Sequence, residues 1–180
     1  METHTLVAHI DHPPLAVRKI EARVVSIDPS WLRLRWRIEG AERVVLPRFA
    51  GKGRADGLWK TTCFEFFLQP LGSNAYIEFN LSPSERWAAY DFTSYRAGMA
   101  ERPLPHEPTC TARVGQSMMI FDAAVPAASL PQLPWRYGLS AVIEEQGGVI
   151  SYWAIAHLDG KPDFHAPACF AGELPAPSAA

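Results

Sequence analysis

Two carboxylates and an amide lie inside the most apolar part of the chain. Glu65 stands between phenylalanines, and Glu78 and Asn80 alternate with apolar residues a short distance further on. Charged groups are seldom placed amid so much apolar sequence unless they are paired or serve a polar task. Carboxylates and amides accept hydrogen bonds from hydroxyl groups, and aromatic rings offer flat apolar faces to a ligand. These residues therefore predict a site for a small polar ligand such as a saccharide.

The segments that carry these groups are typical of the two strands of a hairpin. In residues 61–68 and again in residues 76–81, one set of apolar side chains alternates with the set that holds the polar groups. Pairing the two apolar faces puts Glu65 opposite Glu78 or, one step over, opposite Asn80. Two facing carboxylates repel each other unless a cation or a donor intervenes, or unless one of them is protonated.

The polar face of this hairpin also carries Cys63, Phe67 and Tyr76, so we expect it to be partly buried and to line a cleft. The alternative is a solvated outer face on which the acids meet only counter-ions. Glu65 and Glu78 could also be posed as a glycosidase pair, but residues that face each other directly would sit close together, and no acid and base assignment follows. We therefore expect a binding domain rather than an enzyme.

Four residues outside the hairpin strands are further candidates for the site. Trp59 follows a glycine-rich loop at the entrance of a strand and is placed to act as a platform for a ligand. Arg96 can hydrogen-bond an anionic or hydroxylated ligand in bidentate fashion. His157 lies just beyond a predicted strand, and His157 and His165 bracket a loop that contains Asp163. A metal site built from these three residues is an alternative, although their spacing matches no established motif.

Several segments together resemble bacterial DOMON-like domains, a group related to family 9 carbohydrate-binding modules. The segments are LWKTTCFEFF at 58–67, YIEFNLSP at 76–83 with Trp87 and Tyr90, YWA at 152–154, and KPDFH at 161–165. The resemblance spans most of the chain and implies a β-sandwich with a ligand pocket. The predicted site then comprises Trp59, Glu65, Glu78, Asn80, Tyr90, Arg96, His157 and His165.

The resemblance leaves the ligand open, because the wider superfamily includes sugar binders and haem-binding domains. Haem requires axial ligands such as histidine and methionine, for which Met99, Met118, Met119, His157 and His165 are available. A calcium site made of loop carbonyls and carboxylates would leave little trace in the sequence. Haem and calcium are therefore open alternatives as cofactors, and a protein-interaction module is a third alternative for the function.

The rest of the chain is typical of an all-β protein. In residues 31–38 four apolar side chains alternate with Arg33, Arg35 and Arg37, which predicts a half-solvated antiparallel strand whose arginines face solvent or, alternatively, grip an anion. About ten short strands, frequent turns and sixteen prolines predict little helix. We predict one antiparallel β-sandwich, of jelly-roll or immunoglobulin-like two-sheet architecture, over residues 1–172, followed by a disordered tail at 173–180.

The composition of the chain limits the classes of partner that we expect this domain to bind. The 180 residues carry a formal net charge of −2, which gives no bulk attraction to nucleic acid or to an anionic membrane. No run approaches the roughly 18 apolar residues of a membrane helix, and the first residues lack the features of a secretion signal. The three cysteines lack metal-type spacing. We expect a cytoplasmic protein with reduced thiols; its oligomeric state is left open.

Overall fold

The computed structural model describes residues 1–176, and nearly all of its regular structure is β-strand. The thirteen strands are β1 (Thr3–Ala8), β2 (Lys19–Ile27), β3 (Trp31–Glu39), β4 (Gly53–Arg54), β5 (Cys63–Pro70), β6 (Tyr76–Leu81), β7 (Arg86–Phe92), β8 (Ala100–Glu101), β9 (Thr109–Val114), β10 (Met118–Pro126), β11 (Trp135–Glu145), β12 (Val149–Ala154) and β13 (Gly172–Leu174). Short 3-10 turns occupy Ala41–Arg43, Leu58–Lys60, Ala127–Ser129 and Pro167–Cys169. The all-β prediction is confirmed. The count of about ten strands was too low, because β4, β8 and β13 are too short to show an alternating pattern.

The strands form one continuous, strongly curled sheet in the order β4-β7-β6-β5-β11-β12-β1-β2-β3-β10-β9, with β8 beside β7 and β13 beside β11. Neighbours are antiparallel except β4 and β7, which are parallel. Strand β1 joins the two halves, since its first residues pair with β2 and its last two pair with β12. The predicted division into two separate sheets, and with it the jelly-roll or immunoglobulin-like type, is not confirmed.

The main core lies between the two halves of the curled sheet. The ring of Phe64 on β5 stacks on Phe121 of β10 with 4.2 Å between centroids, and Trp36 of β3 packs 5.3 Å from Phe64. All three side chains are fully buried. Burying one such side chain contributes roughly 1.5–3 kcal/mol, so these contacts hold the two halves of the sheet together.

A second apolar cluster covers the opposite face of β5, β6 and β7. It is centred on Phe67, Tyr76 and Phe92, and residues of the C-terminal segment 163–170 close it from outside. Phe67 stacks against Phe170 at 5.6 Å, and Tyr76 stacks against Phe92 at 4.7 Å with nearly parallel rings. Every residue of β6 is therefore buried, whereas a sandwich strand with one solvated face would alternate.

The alternating pattern of β3 is confirmed. Its apolar residues are buried, and its outward side carries Arg33, Arg35 and Arg37, which together are called the arginine face below. Arg35 pairs with Asp122 of β10 at 2.6 Å, and Arg37 pairs with Glu39 at 2.5 Å. The arginine face is thus a partly exposed network of ion pairs.

The C-terminal segment differs in part from the predicted tail at 173–180. It begins inside β13, where Glu173 and Leu174 pair with Arg136 and Trp135 of β11; residues 177–180 lie outside the described residues. Between β3 and β4, a 3-10 turn is followed by a single bridge between Val44 and Glu145. In the described part of the chain, no helix is long and apolar enough to cross a membrane.

Candidate ligand-binding site

A cavity of about 350 Å³ lies on the face of β5, β6 and β7 that the second apolar cluster covers. Its walls come from these strands, from the loop around residues 96–99 and from the segment 162–165. The lining residues are Trp59, Glu65, Glu78, Tyr90, Phe92, Arg96, Met99, Val142, Tyr152, Pro162, Phe164 and His165. Two acids and several aromatic rings thus face one half-open cavity.

The register of the β5–β6 hairpin determines the relative positions of Glu65 and Glu78. Glu65 pairs with Asn80, and Glu78 pairs with Phe67 on one side and with Tyr90 of β7 on the other. Of the two predicted registers, the one with Glu65 opposite Asn80 is confirmed, and direct pairing of Glu65 with Glu78 is wrong. Because the two acids are offset by two residues on neighbouring strands, they share a wall of the cavity as diagonal neighbours.

Both acids are buried, and each has one weak or neutral hydrogen-bond donor. Glu65 is 4% exposed and accepts a long hydrogen bond of 3.5 Å from the Ser140 hydroxyl. Glu78 is 5% exposed and accepts a hydrogen bond of 2.8 Å from the Asn80 amide. Asn80 itself is fully buried behind the cavity wall, so it positions Glu78 and does not line the cavity.

Burial raises the pKa of both carboxyl groups. For Glu65, burial and then the charge of Glu78 hold the pKa well above its usual range. For Glu78, burial raises the pKa to about 7, although the hydrogen bond from Asn80 opposes the shift. Burial therefore favours the protonated form of both groups, and a protonated carboxyl group can donate as well as accept a hydrogen bond.

His165 connects the acids to a tyrosine. Its Nδ1 lies 2.8 Å from the Tyr76 hydroxyl, and its Nε2 lies 3.9 Å from Glu78 Oε2. The Tyr76 oxygen accepts the backbone N–H of Arg96 at 3.2 Å, so its own proton is free to bond Nδ1, which puts the ring hydrogen on Nε2. Burial, together with the charge of Arg96, lowers the pKa of His165 to about 4, so the imidazole is neutral.

Arg96 ties the loop after β7 to the C-terminal segment. Its guanidinium donates to Asp163 Oδ1 at 2.7 Å, and Tyr95 also donates a hydrogen bond to Asp163. Asp163 Oδ1 in turn accepts the backbone N–H of His165 at 3.1 Å. Arg96 has a φ of 52°, a left-handed conformation that costs free energy in a non-glycine residue. These contacts hold the loop and the C-terminal segment together beside the cavity.

Aromatic side chains form the remaining walls. Trp59 is 42% exposed, so its indole is accessible at the cavity. Tyr90 is buried and donates a hydrogen bond to Asp56. Tyr152 and Phe164 contact each other with 6.1 Å between ring centroids. The cavity can therefore offer flat apolar surfaces and hydrogen-bonding groups to the same ligand.

The structure brings together six of the eight predicted site residues: Trp59, Glu65, Glu78, Tyr90, Arg96 and His165. His157 lies apart, since its Nε2 is 2.9 Å from the Val7 carbonyl and its ring packs behind Phe164 at 6.1 Å. Sequence reasoning missed six lining residues, namely Phe92, Met99, Val142, Tyr152, Pro162 and Phe164. Three of them, Tyr152, Pro162 and Phe164, lie within the segments 152–154 and 161–165. These segments contribute to the resemblance to DOMON-like domains, but the three residues were not predicted to line the site.

The predicted metal set is not brought together. Among residues 1–176 there is no group of three or more His, Cys, Asp or Glu side chains placed to hold a metal ion. Asp163 is engaged by Arg96 and Tyr95, and His157 lies behind Phe164. All three cysteines are buried and unpaired, in line with the reduced thiols predicted.

The fold is similar to that of solved carbohydrate-binding proteins. A protein of Bacteroides uniformis ATCC 8492, described as a candidate carbohydrate-binding protein, has a TM-score of 0.65 at 18% identity, covering 98% of this chain and 86% of that chain. A carbohydrate binding module family 9 of Caldicellulosiruptor kristjanssonii has TM-scores of 0.57 in its complex with glucose and 0.61 in its complex with cellotriose.

The two complexes are 8% and 9% identical to this chain and cover 97% and 99% of it, and 86% and 84% of their own chains. At such low identity the likeness establishes the fold. The predicted relation to family 9 modules is thus supported at the level of fold. No protein-family model and no curated protein matches the sequence.

Proposed function

We propose that this chain is a non-catalytic, DOMON-like binding domain for a small saccharide. The observation that carries the proposal is the cavity in which two buried carboxyl groups lie beside exposed and buried aromatic rings. Sugar hydroxyl groups can exchange hydrogen bonds with the carboxyl groups of Glu65 and Glu78, and a sugar face can pack on Trp59. The fold likeness to modules that bind glucose and cellotriose supports the same ligand class.

The shape of the cavity supports a short ligand. Its volume of about 350 Å³ is near the lower end of the range for small-molecule sites. A monosaccharide or disaccharide fits such a space better than a long chain. A concave site also favours ligand binding over the alternative of an interaction module, which would present a flat, shallow acidic face to its partner.

The placement of the acids supports binding without catalysis. A glycosidase needs one protonated and one ionised carboxyl group on either side of the scissile bond. Glu65 and Glu78 instead lie on one wall, on neighbouring strands, and burial raises the pKa of both. Both groups are therefore placed to hydrogen-bond one side of a ligand.

The proposal is tested by calorimetry of the whole chain against a set of monosaccharides and disaccharides. We expect binding by the wild type and a loss of at least about tenfold in affinity for Trp59→Ala and for Glu65→Ala, which corresponds to about 1.4 kcal/mol. Phe49→Ala is a matched control, since Phe49 is 66% exposed and does not line the cavity. If no saccharide binds the wild type, the proposed function is wrong.

The haem alternative is tested on the same material. Two of its predicted axial ligands, Met118 and Met119, lie on β10, away from the cavity, and Met119 is part of the main core. We expect no Soret band when haem is titrated into the protein. Binding of calcium and a cytoplasmic location also stay predictions, to be checked by calcium titration and by fractionation of cells.

A further inference from the structure

The two acids of the cavity lack a cationic partner. Among residues 1–176, no lysine or arginine nitrogen lies within 4 Å of the carboxylate of Glu65 or Glu78. The nearest charged or titratable nitrogen is Nε2 of His165, 3.9 Å from Glu78, and burial keeps this imidazole neutral by lowering its pKa to about 4. Buried acids are normally paired, so these two are exceptions.

The arginine that lines the cavity does not fill this role. The guanidinium of Arg96 is held by Asp163 at 2.7 Å, in a pair whose charges cancel. Its charge reaches Glu65 and Glu78 only as a minor influence that lowers their pKa values, well behind the effect of burial. The wall that holds Glu65 and Glu78 therefore carries two acidic groups, and among residues 1–176 no lysine or arginine pairs with them.

The aromatic lining of the cavity also favours a positive charge. The cavity is lined by five aromatic side chains, Trp59, Tyr90, Phe92, Tyr152 and Phe164. The face of an aromatic ring carries negative potential and attracts an ammonium group within about 6 Å, with a gain of roughly 0.5–2 kcal/mol that grows as water is excluded. Acids and aromatic rings in one cavity form the combination that recognises amines.

We propose that the preferred ligand carries a free amino group, so that the saccharide bound by this cavity is an amino sugar in its ammonium form. This inference rests on the proposed saccharide function and names the ligand class more closely. An ammonium group beside Glu65 and Glu78 supplies the missing cation, and the sugar hydroxyls use the remaining lone pairs of the carboxylates. Acetylation of the amine removes the charge and with it the advantage.

If the proposal is correct, ligand binding changes the number of protons that the protein binds. An ammonium group favours the ionised form of the carboxyl groups, so binding near pH 7 releases protons from Glu65 and Glu78. The other titratable or charged groups near the acids are Cys63 on β5, Tyr76 on β6, Tyr90 on β7, Arg96 with Asp163, and His165. Burial keeps the Cys63 thiol and the two tyrosines neutral, Arg96 and Asp163 stay charged, and His165 stays neutral at this pH, so the released protons come from the two acids.

The experiment compares glucosamine, glucose and N-acetylglucosamine by calorimetry on the full chain at pH 7 and low salt. We expect glucosamine to bind about tenfold more tightly than either of the other sugars. Titrations in two buffers with different ionisation enthalpies should show proton release for glucosamine alone. Glu65→Gln and Glu78→Gln should each reduce the preference for glucosamine to within about twofold.

Controls separate this inference from the proposed function. Glu173→Gln removes one negative charge on β13, outside the cavity, and should leave the preference unchanged. Circular dichroism confirms that each glutamine variant is folded. Glucose bound as tightly as glucosamine, with no proton release, would overturn the inference and leave the saccharide function in place. Binding of none of the three sugars, while cyclohexylamine binds, would overturn the saccharide function and the amino-sugar inference together.

Discussion

Charged or titratable side chains occupy two strand faces of this protein. On one face they are partly exposed and form ion pairs, and on the other they are buried. On the arginine face, Arg35 and Arg37 each contact a carboxylate within 3 Å, and both side chains are 37% exposed. In the cavity, Glu65 and Glu78 are at most 5% exposed and have no lysine or arginine within 4 Å. Both faces follow the same alternation of apolar and polar residues, so the sequence pattern does not distinguish them.

The difference lies in what covers each face. The arginine face meets solvent, where an ion pair contributes about 0–1 kcal/mol and screening weakens it further. The acidic face is covered by the segment 163–170, so its carboxyl groups lose hydration without gaining a cation. Burial of these carboxyl groups therefore costs free energy, which a ligand with donors or a positive charge can offset.

The largest expected effect concerns Glu78. Its pKa of about 7, against an ordinary value of 4.5, means that the folded state binds the proton more tightly than the unfolded state does. This stabilising contribution is complete below pH 4.5 and is lost as the pH rises through 7. Glu78→Gln should therefore raise the free energy of unfolding by on the order of 3 kcal/mol at pH 8.5 and much less at pH 5, measured by urea denaturation.

The matched control for this prediction lies on β3, next to the arginine face. Glu39→Gln makes the same chemical change where the acid is partly exposed and paired with Arg37. We expect this variant to be neutral or slightly destabilised at both pH values. An equal gain for Glu78→Gln at pH 5 and pH 8.5 would contradict the assignment of a raised pKa.

A smaller effect is expected at the tyrosine that connects the two parts of the cavity wall. Tyr76→Phe removes the hydroxyl that bonds His165 Nδ1 and accepts the N–H of Arg96. Loss of these buried hydrogen bonds should cost about 1–2 kcal/mol of unfolding free energy. The pKa of His165 should rise from about 4, since Nδ1 loses a donor that favours the neutral ring, and NMR titration of the ring protons measures it.

The control for Tyr76 is the neighbouring exposed tyrosine. Tyr95→Phe also removes a hydroxyl that hydrogen-bonds a partner, here Asp163, but Tyr95 is 52% exposed. We expect this change to cost less than about 0.5 kcal/mol. If Tyr95→Phe lowered the free energy of unfolding as much as Tyr76→Phe, burial of the hydroxyl group would not explain the size of the effect.

The smallest effect is expected on the arginine face. Asp122→Asn removes the carboxylate that Arg35 and Arg113 share. Because the groups are partly exposed, the cost should be below about 1 kcal/mol and should shrink further in 1 M NaCl. Thermal unfolding at low and high salt measures it. If Asp122→Asn lowered the free energy of unfolding by several kcal/mol, a substitution on the arginine face would affect stability as much as one in the cavity. The proposed difference between the two faces would then be wrong.

Much of the local structure was predictable because alternation is a local property. The pattern of β3 and of the hairpin β5–β6 fixed which side chains share a face, and the structure confirms both assignments. The hairpins β9–β10 and β11–β12 are local in the same way, since a few turn residues separate the two strands of each. His157 shows the limit of this reasoning, because its place behind Phe164 depends on a loop that no periodic pattern describes.

The sequence by itself determined an all-β chain in which Glu65, Glu78 and Asn80 share one face of a hairpin, because side chains alternate with period two along a strand. Tertiary structure alone decided that this face is covered, that β1 joins the two halves of the sheet, and that Phe164, His165 and Arg96 close the cavity. Burial and pairing depend on segments far apart in the sequence. For this reason the shifted pKa values of the two acids follow from the fold and not from the local sequence.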